Sequence, residues 1–132
     1  MKPFVCSVLA LIAGLNFHST AMADEIGQQE YMDNCASCHG ESAMGQGPLA
    51  ELMTVKVPSL TDLAAKNDGV FPMLEVIHAI DGRQGTRGHG YPMPVWGTRF
   101  KKDSEDTGPY GGEAIVRGRV LSIVYFLESI QE

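Results

Sequence analysis

The feature that most constrains this 132-residue chain is the pentapeptide Cys35-Ala36-Ser37-Cys38-His39. Two cysteines separated by two residues cannot staple distant parts of a fold. They are the attachment pattern for c-type haem. Each sulfur adds to one vinyl group, and the two-residue gap matches the vinyl separation along one porphyrin edge. The histidine that follows is then placed below the iron as its proximal ligand. A thioredoxin-like redox pair would need a βαβ context, and a structural zinc site would need two further Cys or His at paired spacing. Neither context is present. The expected cofactor is one covalently attached haem c, with Cys35 and Cys38 as thioethers and His39 as axial ligand.

Residues 1–23 read as an address. Lys2 supplies a positive start, Phe4 to Leu15 form an apolar run broken only by Ser7 and Gly14, and Ala21-Met22-Ala23 gives the small-x-small pattern of a signal peptidase site. The run is shorter than the roughly 20 apolar residues of a membrane span, so a cleaved secretory signal is expected over a retained anchor. Cleavage after Ala23 leaves residues 24–132 as a single domain, exported to a bacterial periplasm, with no stable membrane insertion. Cys6 leaves with the leader, so only Cys35 and Cys38 remain. Ten basic and 16 acidic residues give a net charge of −6. That balance excludes the electrostatic footprint of a nucleic-acid binder and suits a basic protein partner.

A histidine-ligated haem has one further iron position, and its occupant separates electron transfer from ligand chemistry. The candidates are Met32, Met44, Met53, Met73, Met93, His78 and His89. Met32 shares a helix with the attachment cysteines and lies on the wrong side. Met44 and Met53 flank the loop after the motif, and Met73 falls in an apolar helical pattern suited to core packing. Met93 stands out because Pro92 and Pro94 bracket it, so its thioether is presented from a stiff extended segment. His89, between Gly88 and Gly90, is the competitor. His78 reads as a half-buried position of a helix.

Around these residues the chain resembles the class I c-type cytochromes. Gly27 and Tyr31 precede Cys35 by eight and four residues, similar to the first helix of that family. Cys38-His39-Gly40 leads into Gly45-Gln46-Gly47-Pro48, similar to the loop whose proline carbonyl accepts the axial histidine's ring N–H. The resemblance therefore assigns that carbonyl to Pro48. Pro92-Met93-Pro94-Val95-Trp96-Gly97 resembles the axial-methionine segment. Ile123 to Leu127 resembles the closing helix, in which Phe126, or Tyr125 one position earlier, meets Gly27 and Tyr31.

The coarse elements agree with an all-α cytochrome c fold of about four helices around one haem. Asp24 suits the N-cap of a helix through Asn34. Ser59-Leu60-Thr61-Asp62 fits a capping box opening a short helix to about Lys66. Pro72 and Gly82 suit the start and stop of another. A last helix from about Gly112 to Ile130 sets Val116, Val120, Ile123, Leu127 and Ile130 on one face. Lys101 to Gly112 reads as a solvated loop. Trp96 packs on the haem or bonds a propionate, and Arg83, Arg87 and Arg99 are candidate propionate partners.

The leading expectation is a periplasmic one-electron carrier between redox proteins, not an enzyme, with a His39/Met93-ligated iron. It is a monomer or a subunit of a larger complex. The alternatives are an electron-accepting haem subunit of a periplasmic dehydrogenase or respiratory complex, and a ligand-binding or peroxidase-like protein with an open sixth position. Cleavage after Ala23 predicts a mature protein that begins at Asp24. Intact mass of the exported protein checks this, and a mass that retains residues 1–23 contradicts it.

Overall fold

The computed structural model describes residues 19–82 and 93–132, whose regular elements are all helical, with no strand among them. The elements are α1 (Ser19–Asn34), α2 (Ala36–His39), α3 (Met73–Asp81), α4 (Trp96–Asp103) and α5 (Gly108–Ser129). Single 3-10 turns occupy Ala50–Leu52 and Glu105–Thr107. Arg83, Arg87, His89 and Pro92 lie outside the described residues, as do residues 1–18 of the expected leader.

The first and last helices cross at Gly27. A Cβ at that position would meet the Ser122 carbonyl and lie 2.9 Å from Cβ of Phe126. Only glycine lets the helices approach so closely. One turn on, Tyr31 packs on Phe126 with ring centroids 5.2 Å apart, and its hydroxyl donates to the Gly40 carbonyl at 2.6 Å. Tyr31 is fully buried, while Tyr125 is half exposed, so Phe126 is the aromatic that closes the crossing. The apolar face of α5 is the expected one: Val116, Val120, Ile123 and Leu127 are all buried.

A single cation ties three helices together. Arg119 on α5 donates to both carboxylate oxygens of Glu30 on α1 at 2.9 Å each and to Asp103 on α4 at 3.2 Å. Its guanidinium also lies 3.9 Å from the ring centre of Phe100, which is fully buried. The paired, bidentate geometry is the arrangement in which an arginine–carboxylate contact is strongest.

Three elements differ from the sequence expectation. Residues 59–66 form turns, not a helix. A helix would bond the Ala64 N–H to the Leu60 carbonyl. Instead the Gln131 side chain bridges the two, its Oε1 accepting from Ala64 and its Nε2 donating to Leu60. The Thr61 carbonyl likewise accepts from the Glu132 N–H. These tertiary bonds take the groups that a helix would pair internally.

The expected loop after Lys101 is largely helical, since α4 runs to Asp103 and α5 starts at Gly108. Its polar residues serve as hydrogen-bonding terminators: buried Ser104 donates from Oγ to the Phe100 carbonyl at 2.9 Å, and Thr107 donates to the Ser104 carbonyl at 2.7 Å. Finally, α1 begins at Ser19 rather than Asp24. Helix α3 matches its expected signals, with Pro72 at its N-terminal boundary and Gly82 in the left-handed region at φ 91° closing it.

Replacing Gly27 with Ala forces the α1–α5 crossing apart. The expected loss is about 1–3 kcal/mol, the usual cost of overpacking. Denaturant unfolding of the cofactor-bearing protein measures it, and an unchanged midpoint would remove Gly27 from the crossing.

Candidate functional site

The motif cysteines sit where α1 ends and a single helical turn takes over. The Cys35 N–H continues the α1 ladder to the Tyr31 carbonyl at 2.8 Å, and the His39 N–H returns to the Cys35 carbonyl at 2.9 Å. The chain then folds back on this turn. Gly47 lies so close that a Cβ there would fall 2.5–2.6 Å from the carbonyl oxygens of Ser37 and Ala36. The Gly47 and Leu49 N–H groups donate to the Cys38 and Ser37 carbonyls at 3.0 and 2.8 Å. The glycines after the motif therefore allow a backbone-on-backbone clamp that fixes the orientation of α2.

Cys35, Cys38 and His39 line one side of a mainly apolar cavity of about 890 Å³. Met93, Pro94 and Trp96 line it from the segment that enters α4. Helix α5 contributes Ile123 and Leu127 to the same cavity. Its volume lies within the range of pockets that enclose a large organic ligand. Met53 also reaches the cavity, from the 53–58 segment, so two methionines line it. Met32 and Met44 are exposed, Met73 packs against the core, and none of the three lines the cavity, nor does His78.

The ring of His39 is oriented by Pro58, not by Pro48. Its Nδ1 lies 3.1 Å from the Pro58 carbonyl oxygen. A carbonyl only accepts, so Nδ1 carries the proton and Nε2 keeps its lone pair for a metal. Pro48 follows the glycine that is clamped against the back of α2. The chain reaches the imidazole only after Val57, whose side chain is buried and whose backbone runs against Gly45. Burial lowers the His39 pKa below its ordinary 6.5, and the Pro58 bond opposes this in part. The ring is therefore neutral at pH 7, as a metal ligand must be. Because the folded chain holds fewer protons here than the unfolded one, stability present above pH 6.5 is lost as pH falls below it.

Cys35 is buried, and that burial, with the nearby charges of Glu30 and Cys38, pushes its thiol up to about 12. A redox-active cysteine pair needs the opposite, a depressed pKa. Both cysteines are free of a disulfide, and among the described residues no group of three or more His, Cys, Asp or Glu could hold a metal ion. The site suits covalent capture of a large apolar ligand carrying its own metal. Cations are placed for that ligand's acidic groups: Lys56 and Arg99 both line the cavity, and Arg99 stacks 5.0 Å over the Trp96 ring. Trp96 in turn packs on Phe100 at 5.7 Å.

Left dry, a space of this size would cost about 20 kcal/mol at ~24 cal/mol per Å³. That exceeds the ~5–15 kcal/mol that holds a small domain folded. A Cys35→Ala/Cys38→Ala double variant, which cannot retain its ligand covalently, is expected to lose its cooperative thermal transition. Circular dichroism reads this, and a sharp transition in ligand-free protein would show that the walls stand alone.

Comparison with known proteins adds one finding. A family model described as Cytochrome c matches residues 25–108, well over half of the chain. No curated protein and no solved structure matches it.

Proposed function

The chain belongs to the cytochrome c family, whose members carry covalently attached haem c and transfer electrons; from that premise we propose that it is a periplasmic carrier of single electrons between redox proteins. The observation that carries the proposal is that Cys35, Cys38, His39 and Met93 line one cavity of about 890 Å³. Bound there, haem c supplies a one-electron couple between ferric and ferrous iron. Cys35 and Cys38 would hold the porphyrin edge as thioethers. His39 offers Nε2 to the iron while the Pro58 carbonyl fixes its tautomer and strengthens it as a donor.

Met93 would be the second protein ligand in this reading, since it lines the same cavity as His39. Pro94 stiffens the chain after it, and α4 anchors the segment on the body of the protein, because Gly97 packs directly on Asp81 at the end of α3. A thioether favours the ferrous state relative to a second imidazole. With His39 and Met93 both held by the fold, the site would offer the same two ligands in either oxidation state. Arg99 and the Trp96 N–H serve the propionates.

Replacing Met93 with Ala tests the reading. A His/Met-ligated carrier loses its low-spin ferric spectrum and its weak methionine-to-iron charge-transfer band, gains carbon monoxide binding in the ferrous state, and falls in reduction potential. Visible spectroscopy and potentiometric titration provide the measurement. A wild-type spectrum that is already high-spin would favour the open-site alternative, and a variant indistinguishable from wild type would move the ligand to another residue.

A further inference from the structure

We propose that Gln131, the penultimate residue, is a positioning residue for the axial histidine: by holding Leu60 it sets the place of the Pro58 carbonyl and, through that carbonyl, how strongly His39 donates. The inference rests on the reading of His39 as a haem ligand and adds a residue from the far end of the chain that tunes it. Pro58 is exposed and lies between Met53 and Ser59, in a stretch that belongs to no helix. A carbonyl there is placed by whatever fixes the chain on either side. On one side the Val57 side chain is buried and its backbone lies against Gly45. On the other side stands Leu60, whose N–H donates to the Ala43 carbonyl at 2.8 Å and whose carbonyl accepts from Gln131 Nε2 at 2.8 Å. Ala43 is fully buried and sits in the left-handed region at φ 60°. A residue with a side chain persists there only when its surroundings over-determine it. Leu60 is thus held at once from the loop after His39 and from the end of α5, close to the carbonyl that orients the imidazole.

The side-chain amide of Gln131 is used in full. Its Oε1 accepts from the Ala64 N–H at 2.9 Å, and its Nε2 donates to the Leu60 carbonyl and, at 2.6 Å, to the Leu127 carbonyl. An N–H only donates and a carbonyl only accepts, so these partners fix which way the amide points. The Glu132 N–H adds a bond to the Thr61 carbonyl at 2.9 Å. Residues beyond a terminal helix ordinarily fray. Here both are fastened to one segment, the one that follows Pro58. Leu127, Leu60 and Pro58 all line the cavity that His39 lines, so the clamp joins the α5 wall to the wall that carries the histidine's partner. Without it the Leu60 carbonyl is released and the Pro58 carbonyl is held from one side alone. A weaker bond at Nδ1 leaves Nε2 a poorer donor to iron, which disfavours the ferric state and raises the reduction potential.

Three variants of the holoprotein test the role. Q131A removes the clamp, and Q131M removes its three bonds while keeping a side chain of similar length. The control V116A trims a buried side chain of α5 that does not line the cavity. Potentiometric titration is expected to show both Gln131 variants shifted toward the ferrous state about threefold in equilibrium constant, or ~30 mV at about 59 mV per tenfold for one electron. V116A is expected to lower the thermal midpoint and leave the couple in place. By NMR of the reduced protein, the His39 Nδ1 proton is expected to exchange with solvent about tenfold faster in Q131A and Q131M than in wild type, and at the wild-type rate in V116A. Gln131 variants that lose thermal stability while the couple and the ring-proton exchange stay unchanged would reduce Gln131 to a fastener of the chain end. A shift in Q131A without one in Q131M would assign the effect to packing, and an equal shift in V116A would assign it to general loosening; either overturns the positioning role. A wild-type protein whose spectrum and couple show no histidine-ligated haem removes the reading beneath the inference, whereas a normal wild type with unresponsive Gln131 variants removes the inference alone.

Discussion

The contact on which the rest of the structure depends is the close approach of α1 to α5 at Gly27. It removes one side chain so that two backbones can meet, and it seats Tyr31 on Phe126 one turn away. Tyr31 then reaches forward to the Gly40 carbonyl. Through that hydrogen bond the helix crossing fixes the turn that carries both cysteines and His39. The site is therefore an extension of the crossing, set within a few residues of the fully buried Tyr31. Arg119 adds a second tie on the other flank, joining α1 and α5 to α4 and so to the segment that begins at Met93.

The cavity explains why so small a domain needs this precision. Its walls come from α1, α2, the 49–63 segment, α3, the entry to α4 and α5, so nearly every element faces it. The walls touch one another mainly through the α1–α5 pair and the anchors of α4. The family cofactor is thus the largest single component of the core. Ligand and fold are one thermodynamic unit, in which binding free energy is folding free energy. This also accounts for the glycines and prolines after His39, which give a chain with few side chains to pack a rigid backbone clamp.

Much of the fold was legible because its signals are local. The Gly27–Tyr31–Cys35 spacing, the aromatic at Phe126 and the single apolar face of α5 each follow from helical periodicity, and Pro72 and Gly82 mark the ends of α3. What sequence missed depended on distant parts of the chain. Residues 59–66 carry a valid capping box, yet Gln131 takes up the backbone groups of Leu60 and Ala64. No local rule anticipates an acceptor 67 residues away. The same holds for Pro58. Both Pro48 and Pro58 follow His39, and the family's loop spacing points to the nearer one. The burial of Val57 decides for the further one, and burial is not readable from composition. Met53 was legible as a residue but not as a cavity wall, for the same reason. Helix α4 carries a weak local signal, since its polar run holds a single fully buried large side chain, Phe100.

The pairing of the two ends of the chain has a temporal consequence. Glu30 and Arg119 are 89 residues apart, and the final residues Gln131 and Glu132 close on the 60–64 segment. Contacts between segments so far apart in sequence form only once the chain between them has folded back, which places the α1–α5 crossing late in folding. Until α5 docks, the cavity that Cys35, Cys38 and His39 line lacks the wall that Ile123 and Leu127 supply, so the site is completed by the same late contact that closes the fold.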